Sequence, residues 1–441
     1  MAGKKTAKSA ELDFSEFEMW RRDAVEDPWP KEWPSLTKQQ KEIVNFNVGL
    51  LADKKKFDAQ AAKFERELAK ITDEDARAEK RAEFVINLQA HHFVESLNLF
   101  SWEIPCEITF DQCSFEKGLS LHNATVKGTV RLASATVTGD VSLDSATVTG
   151  DVWLDSAEVK GNVLLDSATV TGDVWLHDLK CGDSTTLSAS DMVVAGSLFV
   201  QSSFFKSFNM QRAQVDGTAS FAGCEFAQIP DFRDAKFDRP PEVANMVVPG
   251  PVMHGGRLPG LKRLFKTAFN PNDVLKFRKL KAMALEANDH EKDGEFFAKD
   301  MLAKRGHETD TFGALFFNSI YWGLSNFGQS FTRPLAGLLI NFFCFALLNI
   351  AYLIQATGNW DHWWFGAELA LRNGLSILGT LFRFAVRPEG HEGWFIGAYD
   401  DAIQAGASGD VLVYIGIFEQ LFSSVLLFLF LLALRNKFRL K

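Results

Sequence analysis

The sequence predicts a mixed fold: a helical N-terminal region, a β-solenoid, an αα-hairpin linker, and two transmembrane helices with a re-entrant or interfacial helix between them. Three observations predict it. The run LAGLLINFFCFALLNIAYLI, 335–354, holds no Asp, Glu, Lys, Arg or His, and VLVYIGIFEQLFSSVLLFLFLLAL, 411–434, holds only Glu419. As helices, runs of about 20 apolar residues cross the roughly 30 Å hydrocarbon layer of a bilayer. The middle of the chain is self-similar, and charged stretches with apolar residues at helical spacing lie on both sides of it. The expected divisions are 1–104, 105–250, 260–308 and 310–441.

Composition narrows the function. A chain of 441 residues suggests two to four structural units. With 47 Lys+Arg against 56 Asp+Glu and a net charge of −9, it lacks the basic surface that phosphate contacts need, which argues against nucleic acid as a partner. The five cysteines (106, 113, 181, 224, 344) are odd in number and form no C-x-x-C pair, which points to a reducing compartment rather than a disulfide scaffold. The start, MAGKKTAKSAELDFSEFEMW, has no apolar core of a secretory signal. P-loop, G-x-G-x-x-G, G-x-S-x-G and H-E-x-x-H motifs are absent, and His290-Glu291 and His307-Glu308 lack a second His. Neither an enzyme nor a cofactor nor a metal is expected.

Residues 1–104 carry a Trp/Pro loop, DPWPKEWPSL (27–36), and a charged segment, Asp73–Phe100, read as helical. His91 and His92 are adjacent; neighbours on a helix point apart, so packing is expected of them rather than metal binding.

From Ala135 the chain reads ATVTGDVSLDS, ATVTGDVWLDS, AEVKGNVLLDS and ATVTGDVWLHD, a period of eleven. Ala, Val and Leu recur at inward spacing, Thr, Asp and Ser face outward, and Gly139, Gly150, Gly161 and Gly172 fall where the chain must turn. Short strands with turns at fixed offsets are the mark of stacked coils, each of which buries its apolar side against the next. Flanking units pair a small residue with a Phe two positions on: Cys113 with Phe115, Cys224 with Phe226, Ala235 with Phe237. That pairing resembles pentapeptide-repeat proteins and implies a pentapeptide-like solenoid of six or seven coils between Ile108 and Val248. At about 4.8 Å per coil it would stand roughly 30 Å tall. Its outward acids, Asp140, Asp144, Asp151, Asp155, Asp166 and Asp173, are the candidate surface: a calcium ladder, an imitation of DNA, or a solvated edge that keeps the stack soluble. The T-x-T pairs at 136/138, 147/149 and 169/171 resemble those of ice-binding solenoids, with Glu158 and Lys160 interrupting the ladder.

Asn272–Arg305 has apolar residues at helical spacing on both sides of Asn288-Asp289, an αα-hairpin with Asn272 and Asp289 as N-caps. The string FRKLKAMA, then ANDHE, EFFAKDMLAKR and SNFGQSFTRPL resembles bacterial membrane-anchored pentapeptide-repeat proteins. Phe327-Gly328-Gln329-Ser330 and Arg333-Pro334 stand where that family has a Y-G-x-S-x-x-R-P element, with Phe for Tyr. The resemblance covers roughly 105–441 and implies a membrane location and a C-terminal two-span, channel-like module. Phe312–Phe327, aromatic and uncharged, suits an interfacial helix.

Lys304, Arg305 and Arg333 precede the first apolar run; Arg435, Lys437, Arg439 and Lys441 follow the second. The positive-inside rule then puts both termini in the cytoplasm of an inner-membrane protein. Between the spans, Trp363–Val386 is broken by Glu368, Arg372 and Arg383, which suits a re-entrant segment; Leu378-Gly379-Thr380-Leu381 does not match the T-V-G-Y-G filter of potassium channels. Glu419, Gln420, Phe422, Ser423 and Ser424, with Asn341 and Asn349, are the candidate pore-lining residues; Glu419 alternatively pairs with Arg372 or Arg383, and the two Asn serve helix packing. Two spans enclose no aqueous path, so the leading expectation is a homo-oligomeric channel, a tetramer by analogy, gated by a cytoplasmic solenoid. The alternatives are a scaffold tethered to the lipid bilayer, binding a cytoplasmic protein through the solenoid or N-terminal helices, and a membrane-depolarising defence effector.

Overall fold

A computed structural model describes residues 38–182, 184–255, 260, 264–358, 366–367, 369–371 and 408–438. The chain divides into two compact units, Met1–Pro251 with Asn272–Asp293, and Val252–Pro271 with Gly294–Lys441.

In the first unit, α1 (Lys38–Leu51), α2 (Lys54–Leu68) and α3 (Glu74–Ala82) close one end of a β-solenoid. Asp53 and Asp73 cap α2 and α3 by accepting from the backbone N–H of Lys56 and Asp75. The apolar stripe of α2 sets Phe57 against Trp102, with ring centroids 4.8 Å apart, and Phe64 edge-on to Phe84 at 5.0 Å. Asn47 of α1 donates its Nδ2 to the Asn87 carbonyl at 2.9 Å, which satisfies an edge of the first coil.

Helix ends and coil begins earlier than the sequence suggests. The first strand is Val85–Asn87, about twenty residues before the expected boundary at 105, so Val85–Ile104 is a coil and not helix. Its apolar residues alternate over only two or three positions between corners, and the charged α3 just before it extends the helical spacing. His91 and His92 accordingly sit on this coil: His91 lies edge-on to Phe93, and His92 Nε2 is 3.0 Å from the Glu116 carboxylate.

Seven coils stack in parallel on four faces. The first face runs from Val85–Asn87 to Ala219–Ser220, the second from His92–Phe93 to Lys180–Cys181, the third from Leu97–Asn98 to Ser207–Asn209, and the fourth from Glu103–Ile104 to Lys236–Phe237. Through the eleven-residue units register advances by 22 residues per coil, as in Thr147↔Thr169 and Val152↔Val174; beyond them it advances by 24, as in Val174↔Leu198, and then by 21, as in Leu198↔Ala219. A coil is therefore two of the eleven-residue units. The period has a backbone cause: Ser134, Ser145, Ser156 and Ser167 all have φ of 54–57°, and each is the third residue of a turn such as Leu143–Ala146, closed by Ala146 N–H to Leu143 O at 2.9 Å. The glycines do something else. Gly139 and Gly161 are not left-handed; a Cβ on Gly139 would lie 1.7 Å from the Lys117 carbonyl oxygen, and one on Gly161 2.3 Å from that of Gly139. They are glycine because coil crosses coil there. Phe208, Phe221, Phe226 and Phe232 fill the last coils. That end is covered by α4 (Asn272–Glu286), whose Lys276 donates to the Ile229 carbonyl at 3.3 Å.

In the second unit, Met253–His254 pairs antiparallel with Thr267–Ala268. The helix α5 (His290–Ala303) is followed by α6 (Phe312–Ser325), capped by the Thr311 hydroxyl and ended by left-handed Asn326. Then come α7 (Thr332–Thr357) and α8 (Gly409–Phe438). Thr332–Ala356 and Asp410–Phe438 have mean hydropathy 2.1 and 2.2, long and apolar enough to cross a membrane.

Candidate functional site

The acids of the solenoid are consumed in holding it together. Asp140 Oδ1 accepts the Asn162 N–H at 2.6 Å, Asp144 Oδ1 that of Asp166 at 2.9 Å, and Asp151 Oδ1 that of Asp173 at 2.8 Å. Asp155 Oδ1 accepts from His177 N at 3.0 Å, Asp173 Oδ1 from Ser197 N at 2.6 Å, and Asp166 Oδ1 from both the amide of Ser190 and the hydroxyl of Ser188, each at 2.7 Å. Each carboxylate thus ties one coil to the amide one turn on. Such charge-assisted bonds are stronger than neutral ones. Among the described residues no group of three or more His, Cys, Asp or Glu could hold a metal ion. The threonine pairs also fall differently from the sequence reading: 147/149 and 169/171 lie on the fourth face, whereas Glu158 and Lys160 interrupt 136/138 on the second.

On the first face Arg131, Trp153, Trp175 and Phe199 form an outer column. Arg131 lies 5.4 Å from the Trp153 ring, the two Trp rings are 5.4 Å apart, and Trp175 stacks on Phe199 at 4.3 Å. The ring faces are spent on one another, so the column clamps coils and offers no platform to a flat ligand. Three solenoid cysteines, Cys106, Cys113 and Cys224, are buried, and burial pushes the Cys113 and Cys224 thiols up to about 12. Beside α3, Arg81 holds Glu65 at 2.6 Å and Lys127 holds it at 3.1 Å. Burial alone would raise the Glu65 carboxyl, but the bonds and charges of Arg81, then of Lys127, outweigh it and keep the group below its usual range.

The apolar helices are an antiparallel pair. Gly337 meets Leu426, Asn341 Nδ2 donates to Ser423 Oγ at 2.9 Å, and the Tyr352 hydroxyl accepts the Ser408 N–H at 2.9 Å. Glu419, Ser423 and Asn349 are 0, 3 and 1 % exposed, inside the seam of a single chain. Of the other residues picked from the sequence, Phe422 is exposed, and Gln420 and Ser424 are half-buried, Ser424 bonding back to the Gln420 carbonyl. Asn341 and Ser423 are therefore brought together, and Phe422 stands apart. Glu368, Arg372, Thr380 and Arg383 lie outside the described residues. Close to them, Leu369 and Ala370 are buried, and a Cβ on Gly366 would lie 2.6 Å from the Ile350 backbone nitrogen, so this stretch rests directly on α7.

One site went unseen in the sequence. Between α6 and α8 lies an open groove of about 450 Å³, lined by Ala314, Phe317, Ile320, Tyr321, Val425 and Leu429. Asn318 forms part of its wall and accepts Arg305 Nε at 2.6 Å. The Arg305 side chain is 4 % exposed and lies 5.4 Å from the Trp322 ring. Burial lowers its basicity. Nearby, Arg333 donates to the Trp322 carbonyl at 3.0 Å, Lys437 stands 4.4 Å over Phe331, and Asn436 donates to the Gly328 carbonyl at 3.2 Å. The start of α7 and the end of α8 therefore form one basic end. The uncharged, aromatic and apolar make-up of Phe312–Phe327 suggested an interfacial helix; which helix would wall the groove with it was not readable.

Stacked four-faced coils define the first unit as a β-solenoid, and the second supplies two apolar helices. Residues 110–158 match the family model described as pentapeptide repeats (9 copies). No curated protein and no solved structure matches the chain. The chain carries pentapeptide repeats on a β-solenoid, together with two helices fit to span a membrane, a combination that suits a membrane-associated protein.

Proposed function

We propose that the chain is a membrane-anchored scaffold: α7 and α8 tether it as a helical hairpin, and the solenoid with its N-terminal helices presents a rigid surface to a protein partner on the cytoplasmic side of the membrane. One observation carries the reading. The polar groups of the two helices, Asn341, Asn349, Glu419 and Ser423, are turned into the seam of one chain, while Leu339, Ile340, Phe343, Leu347, Phe418, Leu421, Phe422 and Phe428 cover the outside. That is the arrangement of a lipid-facing anchor, since polar side chains in a bilayer seek each other and apolar ones meet the acyl chains.

A conduit formed by several copies is the second reading, favoured by the half-buried Gln420 and Ser424, one helical turn apart on α8. Bilayer recordings of the reconstituted full-length protein separate the two. Retention in carbonate-washed membranes without current is expected of the anchor. A cation current that Glu419→Gln reduces would replace the anchor with the conduit.

A further inference from the structure

We propose that the basic end of the α7–α8 hairpin is a seat for one anionic phospholipid, with an acyl chain in the groove between α6 and α8 and the phosphate against Arg333, Arg435 and Lys437. The inference rests on the anchoring reading above and adds a ligand class to it.

Three observations converge. The groove is walled by Ala314, Phe317, Ile320, Val425 and Leu429, and at about 450 Å³ it falls within the range of ligand sites. It opens beside α8 at Val425–Leu429, six to ten residues before Arg435, which as a helix is about 9–15 Å along the axis. An acyl chain entering there has its headgroup at the level of the arginines. The second observation is charge. Arg333, Arg435 and Lys437 are all exposed around the loop that joins α6 to α7, where Arg333 donates to the Trp322 carbonyl, Asn436 to the Gly328 carbonyl, and Lys437 lies over the Phe331 ring. The sequence has no Asp or Glu from Thr311 to Trp360, nor from Gln420 to Lys441, so α7 carries no acid and the acid of α8 nearest to Arg435 is Glu419, about four turns away. The third is Arg305, whose buried guanidinium is held by Asn318 in the groove wall and has no carboxylate within ion-pair distance among the described residues. A buried cation left uncompensated is costly, and an anion seated nearby offsets that cost. Basic pockets at helix ends on the cytoplasmic side are where acidic headgroups bind.

The test reconstitutes the full-length chain in phosphatidylcholine vesicles with and without phosphatidylglycerol, re-extracts it in mild detergent, and measures co-purified phospholipid by mass spectrometry. Phosphatidylglycerol is expected to be retained at least about tenfold over phosphatidylcholine, in line with roughly 1 kcal/mol for each basic side chain at an acidic surface. Arg333→Gln with Arg435→Gln removes the preference. Val425→Trp, and independently Ile320→Trp from the opposite wall, fills the groove and abolishes retention with every cation intact. Inorganic phosphate does not compete. Equal retention of the two lipids by a chain that does enter vesicles overturns the seat and leaves the anchor standing; so does undiminished retention by both groove-filled variants, or competition by inorganic phosphate. A chain that stays out of vesicles overturns both.

Discussion

Asp155 shows at the scale of one residue how the repeat spends its charge. It is 1 % exposed, its Oδ1 accepts the His177 amide at 3.0 Å, and its Oδ2 has no hydrogen-bond partner among the described residues. Burial raises its pKa above the ordinary carboxylate value, more than the His177 amide lowers it. Just above the unfolded pKa of about 3.9, the folded protein therefore holds a proton that the unfolded chain has released. Stability falls as pH rises from that unfolded value through the raised folded one, and the cost is fully present above it. Asn keeps the acceptor and removes the charge, as Asn162 already does toward the Thr186 amide at 3.1 Å. Asp155→Asn is thus expected to raise the melting temperature at neutral pH and to flatten its dependence on pH above the unfolded carboxylate value. Asp155→Ala, which strands the amide, costs about 1–3 kcal/mol. Thermal melts across pH distinguish the two. Glu65 has the opposite sign: held low by Arg81 and Lys127, it supports the fold above the unfolded carboxylate pKa and loses that contribution as pH falls through its own.

Elements of the solenoid reverse the usual roles of glycine and serine. Ser145 and Ser156 occupy left-handed corners, whereas Gly139 and Gly161 sit where a Cβ would strike the backbone of the neighbouring coil. Replacing Ser145 with Gly relieves left-handed strain of about 1–2 kcal/mol against an entropic loss of ~0.5–1 kcal/mol, so stability stays within about 1 kcal/mol of the parent. Gly139→Ala has no such latitude, because the obstructing atom is the Lys117 carbonyl oxygen; it is expected to cost more than about 2 kcal/mol. Denaturant midpoints read the difference, and equal losses at the two positions would contradict this assignment of roles. The period of eleven was legible because every unit repeats both constraints, and the hairpin because Asp289 caps α5 by accepting the Lys292 amide at 3.0 Å. The coil at Val85–Ile104 was not legible. It has neither the glycine nor the A-x-V of later coils, and Phe93 shows its role only when stacked on Phe115, 4.6 Å away and one coil on. The apolar runs announced α7 and α8, but the pairing of Asn341 with Ser423 depends on a register 82 residues apart in the chain, which no local pattern encodes.

Over the whole molecule, the solenoid meets the hazard of every open stack, a row of unpaired amides and carbonyls at each end. At the first coil Asn47 takes the Asn87 carbonyl and Phe57, Phe64 and Leu68 cover the apolar core; at the last, Lys276 and Lys292 donate to the carbonyls of Ile229 and Met246. Repeat proteins need such terminal caps to stay soluble. Removing residues 38–82 strips α1–α3 and exposes Phe84, Val85 and Ile86, which are buried in the intact fold. The stack itself depends on contacts between neighbouring coils, so the remaining coils are expected to persist, with the strand signature retained in circular dichroism. Their new edge is an open row of unpaired strand amides and carbonyls, able to pair with the same edge of a second copy. The truncated chain in detergent is therefore expected to associate through that edge, with sedimentation showing a dimer or larger species that dissociates on dilution. The intact chain compared in the same detergent controls for association through the spans. A truncated chain that sediments like the intact one, with its strand content preserved, would mean that α1–α3 serve the partner surface alone and that the solenoid edge is protected by some other feature.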